Sequence, residues 1–430
     1  MNPRHMRRPS GAVGLILLVC TTVASADNWP QFRGPTGVGL TSEKHLPIEW
    51  GGKDRKNVLW SAPLPGEGHA SPIVWGDRLL VCTVTWPDDP DQRKVIPPHH
   101  VTAYATADGK QLWDTQVKPG FWTRNDFRSG PGGGYAAPTP CTDGKHVFVA
   151  FGSAVLAALD FDGHVVWRKE LTPHTFDVTV GSSPILFEDS VIVLCAMAQK
   201  KDSRIVAFKK SDGEVKWETR LPTTGFGHST PVIIDVKGKP QMLVLASAMG
   251  VTPDGLQSFD PATGKRLWWC KGGGDASSPA YGDGIVYFDS GRGGPGFAVD
   301  PTGSGDVSTT HVKWTVPRLT EALGSAVITG GYVYRLQSPN LLRCWKVDGG
   351  EQVYAEKLEG ITSTWISPIA DGEGHLFFAS GGRSFVVKTG PKFEVLATNE
   401  LGDPNHASAA VANGRLYIEG RKQVYCIGAK

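Results

Sequence analysis

The chain has 430 residues, 20% of them charged, with 53 glycines and a formal net charge of +2. The first 26 residues hold three arginines and no acid, so without them the charge falls from +2 to −1. Such a balance offers no basic excess for the phosphates of nucleic acid.

Residues 1–26 read as a signal segment. Arg4, Arg7 and Arg8 form a basic start, Ala12 to Val19 an apolar run, and Ala24-Ser25-Ala26 a cleavage pattern. The run is too short to span a bilayer, and no later stretch is long and apolar enough. Export to the periplasm or the extracellular space, with cleavage near Ala26, is expected. Cys20 raises a lipid anchor as an alternative, but Val19 stands where a small residue would be needed. Residues 27–56 read as an irregular arm, because Asn28–Trp50 is rich in Pro and Gly.

From residue 57 to the end, one unit recurs. Ser182 to Trp217 shows it: Ser182–Leu186, Val191–Met197, Arg204–Lys209 and Glu214–Trp217 read as four strands joined by Glu188-Asp189, a polar loop and Asp212-Gly213. The unit starts with a small-residue pair at Ser71-Pro72, Ala137-Pro138, Ser183-Pro184, Thr230-Pro231, Ser278-Pro279, Ser325-Ala326, Ser367-Pro368 and Ser408-Ala409. Most starts are 41 to 48 residues apart, the period of a four-stranded propeller blade. The last strand carries an aromatic four residues after a glycine: Gly109…Trp113, Gly163…Trp167, Gly213…Trp217, Gly264…Trp268 and Gly350…Tyr354. Trp314 fills that place in the fifth unit, and the seventh is degenerate around Phe393–Leu396.

The eighth unit stops after three strands, near Cys426. An orphan strand, Val58–Trp60, lies before the first. Joining the two closes the ring and removes an open sheet edge. The expectation is an all-β, eight-bladed propeller of four-stranded antiparallel blades, residues 57–430, closed by the N-terminal strand.

Gly255–Trp268 (GLQSFDPATGKRLW) and Val101–Trp113 (VTAYATADGKQLW) resemble the tryptophan-docking repeats of the pyrroloquinoline-quinone (PQQ) propeller superfamily. The NWPQFRGP opening is similar to the arm of its secreted members. The superfamily includes PQQ-dependent dehydrogenases and cofactor-free propellers of the BamB type. The dehydrogenases hold PQQ between a tryptophan and a vicinal disulfide, near calcium and an aspartate base. Here the six cysteines after the leader, Cys82, Cys141, Cys195, Cys270, Cys344 and Cys426, include no adjacent pair. They read as buried strand cysteines, with one or two disulfides as the alternative. No cofactor is expected, and PQQ with calcium is the alternative.

Two insertions, Thr85 to His100 and Gly120 to Tyr135, fall in loops that should share one face, and long loops on a rigid scaffold mark a binding face. Aligning the units places His69, Tyr135, Gly181, His228, Ala276, Gly324, Trp365 and His406 at the mouth of the first strands. Arg292, Arg383 and Arg421 fall in inter-strand loops there, and Arg124, Arg128 and Arg318 in loops leading into blades. Imidazoles, guanidiniums and two aromatics suit a planar or anionic ligand. The competing reading makes each His a loop anchor and each Arg a filler between blades. The three His come from blades one, four and eight, so no metal site is assigned, and no spacing singles out a catalytic base.

The reading is a secreted, monomeric, non-enzymatic scaffold that binds a protein or glycan, including anionic ones, on this funnel face. A PQQ-dependent alcohol or sugar dehydrogenase is the runner-up, ahead of a hydrolytic propeller.

Overall fold

A computed structural model describes residues 28–429 except 88–94, 122–133, 172–180, 197–202, 226 and 246. Residues 1–27, which include the expected signal segment, and parts of both insertions, with Arg124 and Arg128, lie outside the described residues.

Dense Val, Ile and Leu between glycine turns form eight sheets around a ring, an eight-bladed β-propeller. Blade three runs Ile185–Phe187, Ser190–Cys195, Arg204–Lys209, Val215–Arg220, each strand antiparallel to the last. Its final turn is set by Gly213, at φ 69°, and by Asp212, whose carboxylate accepts the Glu214 N–H. Blade eight has the order Val58–Pro63, Gln423–Ile427, Arg415–Glu419, Ala410–Ala412, and Trp60 stands opposite Cys426. The orphan N-terminal strand therefore closes the ring.

The glycine-to-tryptophan spacing has a cause between blades. Trp60 of blade eight lies over Gly109 of blade one, and its indole N–H donates to Thr106 O at 3.0 Å. Trp113 over Gly163, Trp167 over Gly213 and Trp314 over Gly350 repeat the contact, with indole bonds to Phe161 O, Lys210 O and Val347 O. Each glycine receives the tryptophan of the preceding blade.

A second ring ties the inner strands. The N–H of Ser71 donates to Thr139 Oγ1, Thr139 to Ser183 Oγ, Ser183 to Thr230 Oγ1 and Thr230 to Ser278 Oγ. Ser278 then donates to Ser325, Ser325 to Ser367, Ser367 to Ser408, and Ser408 back to Ser71. All eight bonds are 2.9–3.1 Å long and join adjacent blades. This corrects the register of blade two: its hydroxyl is Thr139, two residues beyond Ala137.

Blades four and five depart from the common pattern. Ser247–Phe259 pairs with Arg266–Gly274, and Arg292–Val299 with Val312–Glu321, as hairpins that continue past the blade toward the funnel. Gly305–Asp306 adds a fifth, parallel strand outside Trp268 and Trp269.

The arm crosses the opposite face, where the first strands end. Trp29 pairs with Val74 of blade one, Thr142 N–H donates to Pro30 O in blade two, and Arg33 reaches Ala326 O in blade six. Leu40 pairs with Ala370 in blade seven, and the arm then leaves that face, Gly51 pairing with Glu400 at the funnel end of the same blade's fourth strand. Along the arm, Trp29, Val38, Leu46 and Trp50 are buried. The six cysteines are free, buried and spread over six blades, and burial pushes the thiols up, Cys426 to about 11 and Cys195 to about 12. No helix among the described residues is long and apolar enough to cross a membrane.

Candidate functional site

Two residues before each ring hydroxyl stands one side chain per blade: His69, Ala137, Gly181, His228, Ala276, Leu323, Trp365 and His406. All eight are partly or well exposed, while the residue that follows each one is buried. These positions line the mouth of the channel. Two assignments differ from the sequence alignment. Leu323, not buried Gly324, holds the place in blade six. Ala137 holds it in blade two, because APTP offers two small-residue–Pro pairs. Tyr135 instead lies in a short turn, 2% exposed, against Trp86 and His99.

Three of the eight come together. The His69 and His406 rings are 5.3 Å apart, and Trp365 lies 4.6 Å from His406, tilted by 32°. Trp365 is 48% exposed. Asn405 organises the group: its amide N–H₂ donates to Gly68 O and Gly420 O, which fixes Oδ1 as the acceptor. Oδ1 accepts the His406 N–H and the His69 ring at 2.7 Å each, so the His69 proton sits on Nδ1 and the lone pair on Nε2. Ser363 Oγ accepts the Trp365 N–H at 3.0 Å and stands 2.9 Å from His406 Nδ1. Burial, with His69 adding repulsion, lowers His406 to about 4, so it is neutral at pH 7. Asn405 and Ser363 were not foreseen. The Asn-His pair at the start of blade eight was the available signal.

His228 is placed elsewhere. Its backbone N–H donates to Asp275 O, and its ring lies over Gly181, where any Cβ would collide with it. The three histidines do not form a common ligand set: among the described residues the one cluster of three metal-ligating side chains is Asp371, Glu373 and His375, at the other end of the first strand of blade seven.

Three of the four described funnel arginines meet carboxylates. Arg292 Nε donates to Asp275 at 2.7 Å, Arg421 stands 3.0 Å from Glu67, and Arg383 stands 3.7 Å from Glu400. Arg292 and Arg383 are the first residues of third strands, not loop residues. Arg318 is exposed within the fourth strand of blade five. Beneath Arg292, Arg335 of blade six clasps Asp289 of blade five with two bonds of 2.8 Å, both residues buried.

The described donors at the mouth are imidazole, amide, hydroxyl and indole. The carboxylates Asp275, Glu67 and Glu400 are each occupied by an arginine. This set does not fit a calcium-held quinone, which needs a shell of oxygen ligands.

No curated protein matches the chain. Among solved structures, BamB from Moraxella catarrhalis is similar at 15% identity over 87% of this chain and 97% of that one, with a TM-score of 0.61. Quinohemoprotein alcohol dehydrogenase from Comamonas testosteroni is similar at 13% identity over 94% and 81%, TM-score 0.66. A europium-containing methanol dehydrogenase is similar at 12% over 94% and 98%, TM-score 0.58. At these identities the likeness establishes the propeller fold alone. The profile of one family, described as outer membrane protein assembly factor BamB, matches residues 97–268 and 194–373, together more than half of the sequence, and the chain belongs to that family.

Proposed function

We propose that this protein is an exported, non-enzymatic binding or assembly scaffold whose funnel face takes a protein or glycan ligand. One observation carries the reading. Three rings from blades seven, eight and one, Trp365, His406 and His69, meet at the channel mouth, and the most exposed of them is the indole. Aromatic surface held on a rigid ring binds with little ordering entropy. Membership of a family described as an assembly factor supports the scaffold role. The chemistry of the rings supports it too. His406, held near 4, is a weak base, and its partner Ser363 also accepts a backbone N–H. The pairing of Arg292, Arg383 and Arg421 with carboxylates leaves little local positive charge from these three, so binding should depend only weakly on salt.

A photo-crosslinking residue placed at Trp365, compared with one at Asp77 on the opposite face, tests the assignment in the native envelope. Adducts to an envelope protein or glycan are expected from position 365 and not from 77. The reverse pattern overturns the site. Reduction of an artificial electron acceptor by the protein with PQQ, calcium and an alcohol or sugar overturns the non-enzymatic reading.

A further inference from the structure

We propose that His45 of the arm and Glu373 and His375 of blade seven, with Asp371 behind them, form a binding site for a divalent transition metal such as zinc. The segment Asp371–His375 (DGEGH) turns the first strand of blade seven into the second. One ligand atom each from Asp371, Glu373 and His375 lies within 4.8 Å of the others. From the arm, His45 Nδ1 stands 3.2 Å from Glu373 Oε1, and the His45 N–H donates to Oε2 at 2.6 Å. Ligands about 2.1 Å from a tetrahedral zinc stand about 3.4 Å from one another, and the 3.2 Å between His45 Nδ1 and Glu373 Oε1 is close to that separation.

Asp371 has a different part. Its side chain is wholly buried, and Oδ1 accepts the N–H groups of Glu373 and His375. Its Oδ2 is 2.8 Å from His375 Nδ1. A carboxylate can only accept, so the proton sits on Nδ1 and the lone pair on Nε2. A carboxylate behind an imidazole is the arrangement that orients metal-binding histidines. The arm is delivered to this turn by its backbone: Gly372 N–H donates to Glu43 O, and a Cβ at 372 would meet Ser42 O and Glu43 O. Two imidazoles and a carboxylate suit zinc and its neighbours rather than calcium or magnesium. Bound there, the metal would fasten the arm to the ring through residues 328 apart in sequence.

The test uses the full chain stripped with a chelator and titrated with zinc alone. One equivalent should bind, and the melting temperature should rise by about 2 °C or more at saturation. His45→Asn and His375→Gln should each weaken binding by about tenfold or more. Asn tolerates the φ of 61° at position 45, where the side chain is exposed, so that variant folds whether or not metal binds. Cobalt substituted for zinc should show visible d–d bands that His45→Asn removes. Absence of heat and of a melting shift at millimolar zinc overturns the proposal. So does binding that survives both substitutions unchanged.

Discussion

Glu419→Gln should stabilise the protein at neutral pH and leave it unchanged in acid. Glu419 ends the second strand of blade eight, is 1% exposed, and neither carboxyl oxygen has a hydrogen-bond partner among the described residues. Its counterpart shows what is missing. In blade five, Tyr287 packs near Trp314 and Asp289 follows two residues on, held by Arg335 of the next blade. In blade eight, Tyr417 packs near Trp60 and Glu419 follows two residues on, but the position matching Arg335 in blade one is Val81. Burial alone raises Glu419 well above the usual value of 4.5. Below pH 4.5 both the folded and unfolded chains carry the proton, and the group is neutral in effect. Above it, the unfolded chain releases a proton that the folded chain keeps, so stability falls as pH rises until the folded carboxyl itself ionises. The slope approaches about 1.4 kcal/mol per pH unit for as long as the folded carboxyl keeps its proton. The glutamine amide leaves roughly the same unmet polar atoms as the protonated acid, so those costs nearly cancel. Urea unfolding of both proteins from pH 4 to pH 8 measures the difference. If Glu419→Gln is less stable throughout, and most so at high pH, the carboxylate is ionised and partnered, and the reasoning fails.

Three further outcomes follow from the packing. Arg335→Met strands Asp289 between blades five and six and should cost about 3–5 kcal/mol by chemical denaturation; Arg335→Met combined with Asp289→Asn should recover much of that loss. Ser278→Ala removes the acceptor of the buried Thr230 N–H and should cost about 1–3 kcal/mol, a loss read in the same assay. Gly109→Ala forces an L side chain to φ 76° and against the Trp60 ring, so a cost above about 1 kcal/mol and a lower melting temperature are expected.

The blade count and the closure were legible in the sequence because both are periodic. Val58–Trp60 reads as an outer strand without a blade and the segment ending at Cys426 as a blade without an outer strand, and the pairing of Trp60 with Cys426 joins them. The parts that were not legible depend on contacts between units. APTP holds two candidate starts, and only the bond from Ser71 N–H to Thr139 Oγ1 selects the second. The Gly-rich runs near Gly272–Gly274 and Gly293–Gly296 lack the β-branched and aromatic residues that mark strands, yet they complete hairpins whose strands pair with each other above the blade. The carboxylate partners of the arginines were not legible: Arg421 and Glu67 are 354 residues apart in sequence.

That distance points to how the candidate site is built. Asn405 bonds His69 and Gly68, near the start of the propeller, as well as Gly420, near its end. Ser408 completes the hydroxyl ring onto Ser71, and Leu64 N–H donates to Lys422 O beside them. The cluster of His69, His406 and Trp365 therefore straddles the seam where the chain closes on itself. Its geometry exists only in the closed ring, because one imidazole comes from each side of the seam. A ligand that touches both His69 and Trp365 binds the closed form and not an opened one, so it must stabilise closure by its differential affinity. Recognition at the mouth and integrity of the ring are thus one linked equilibrium, centred on blade eight rather than spread evenly over the propeller.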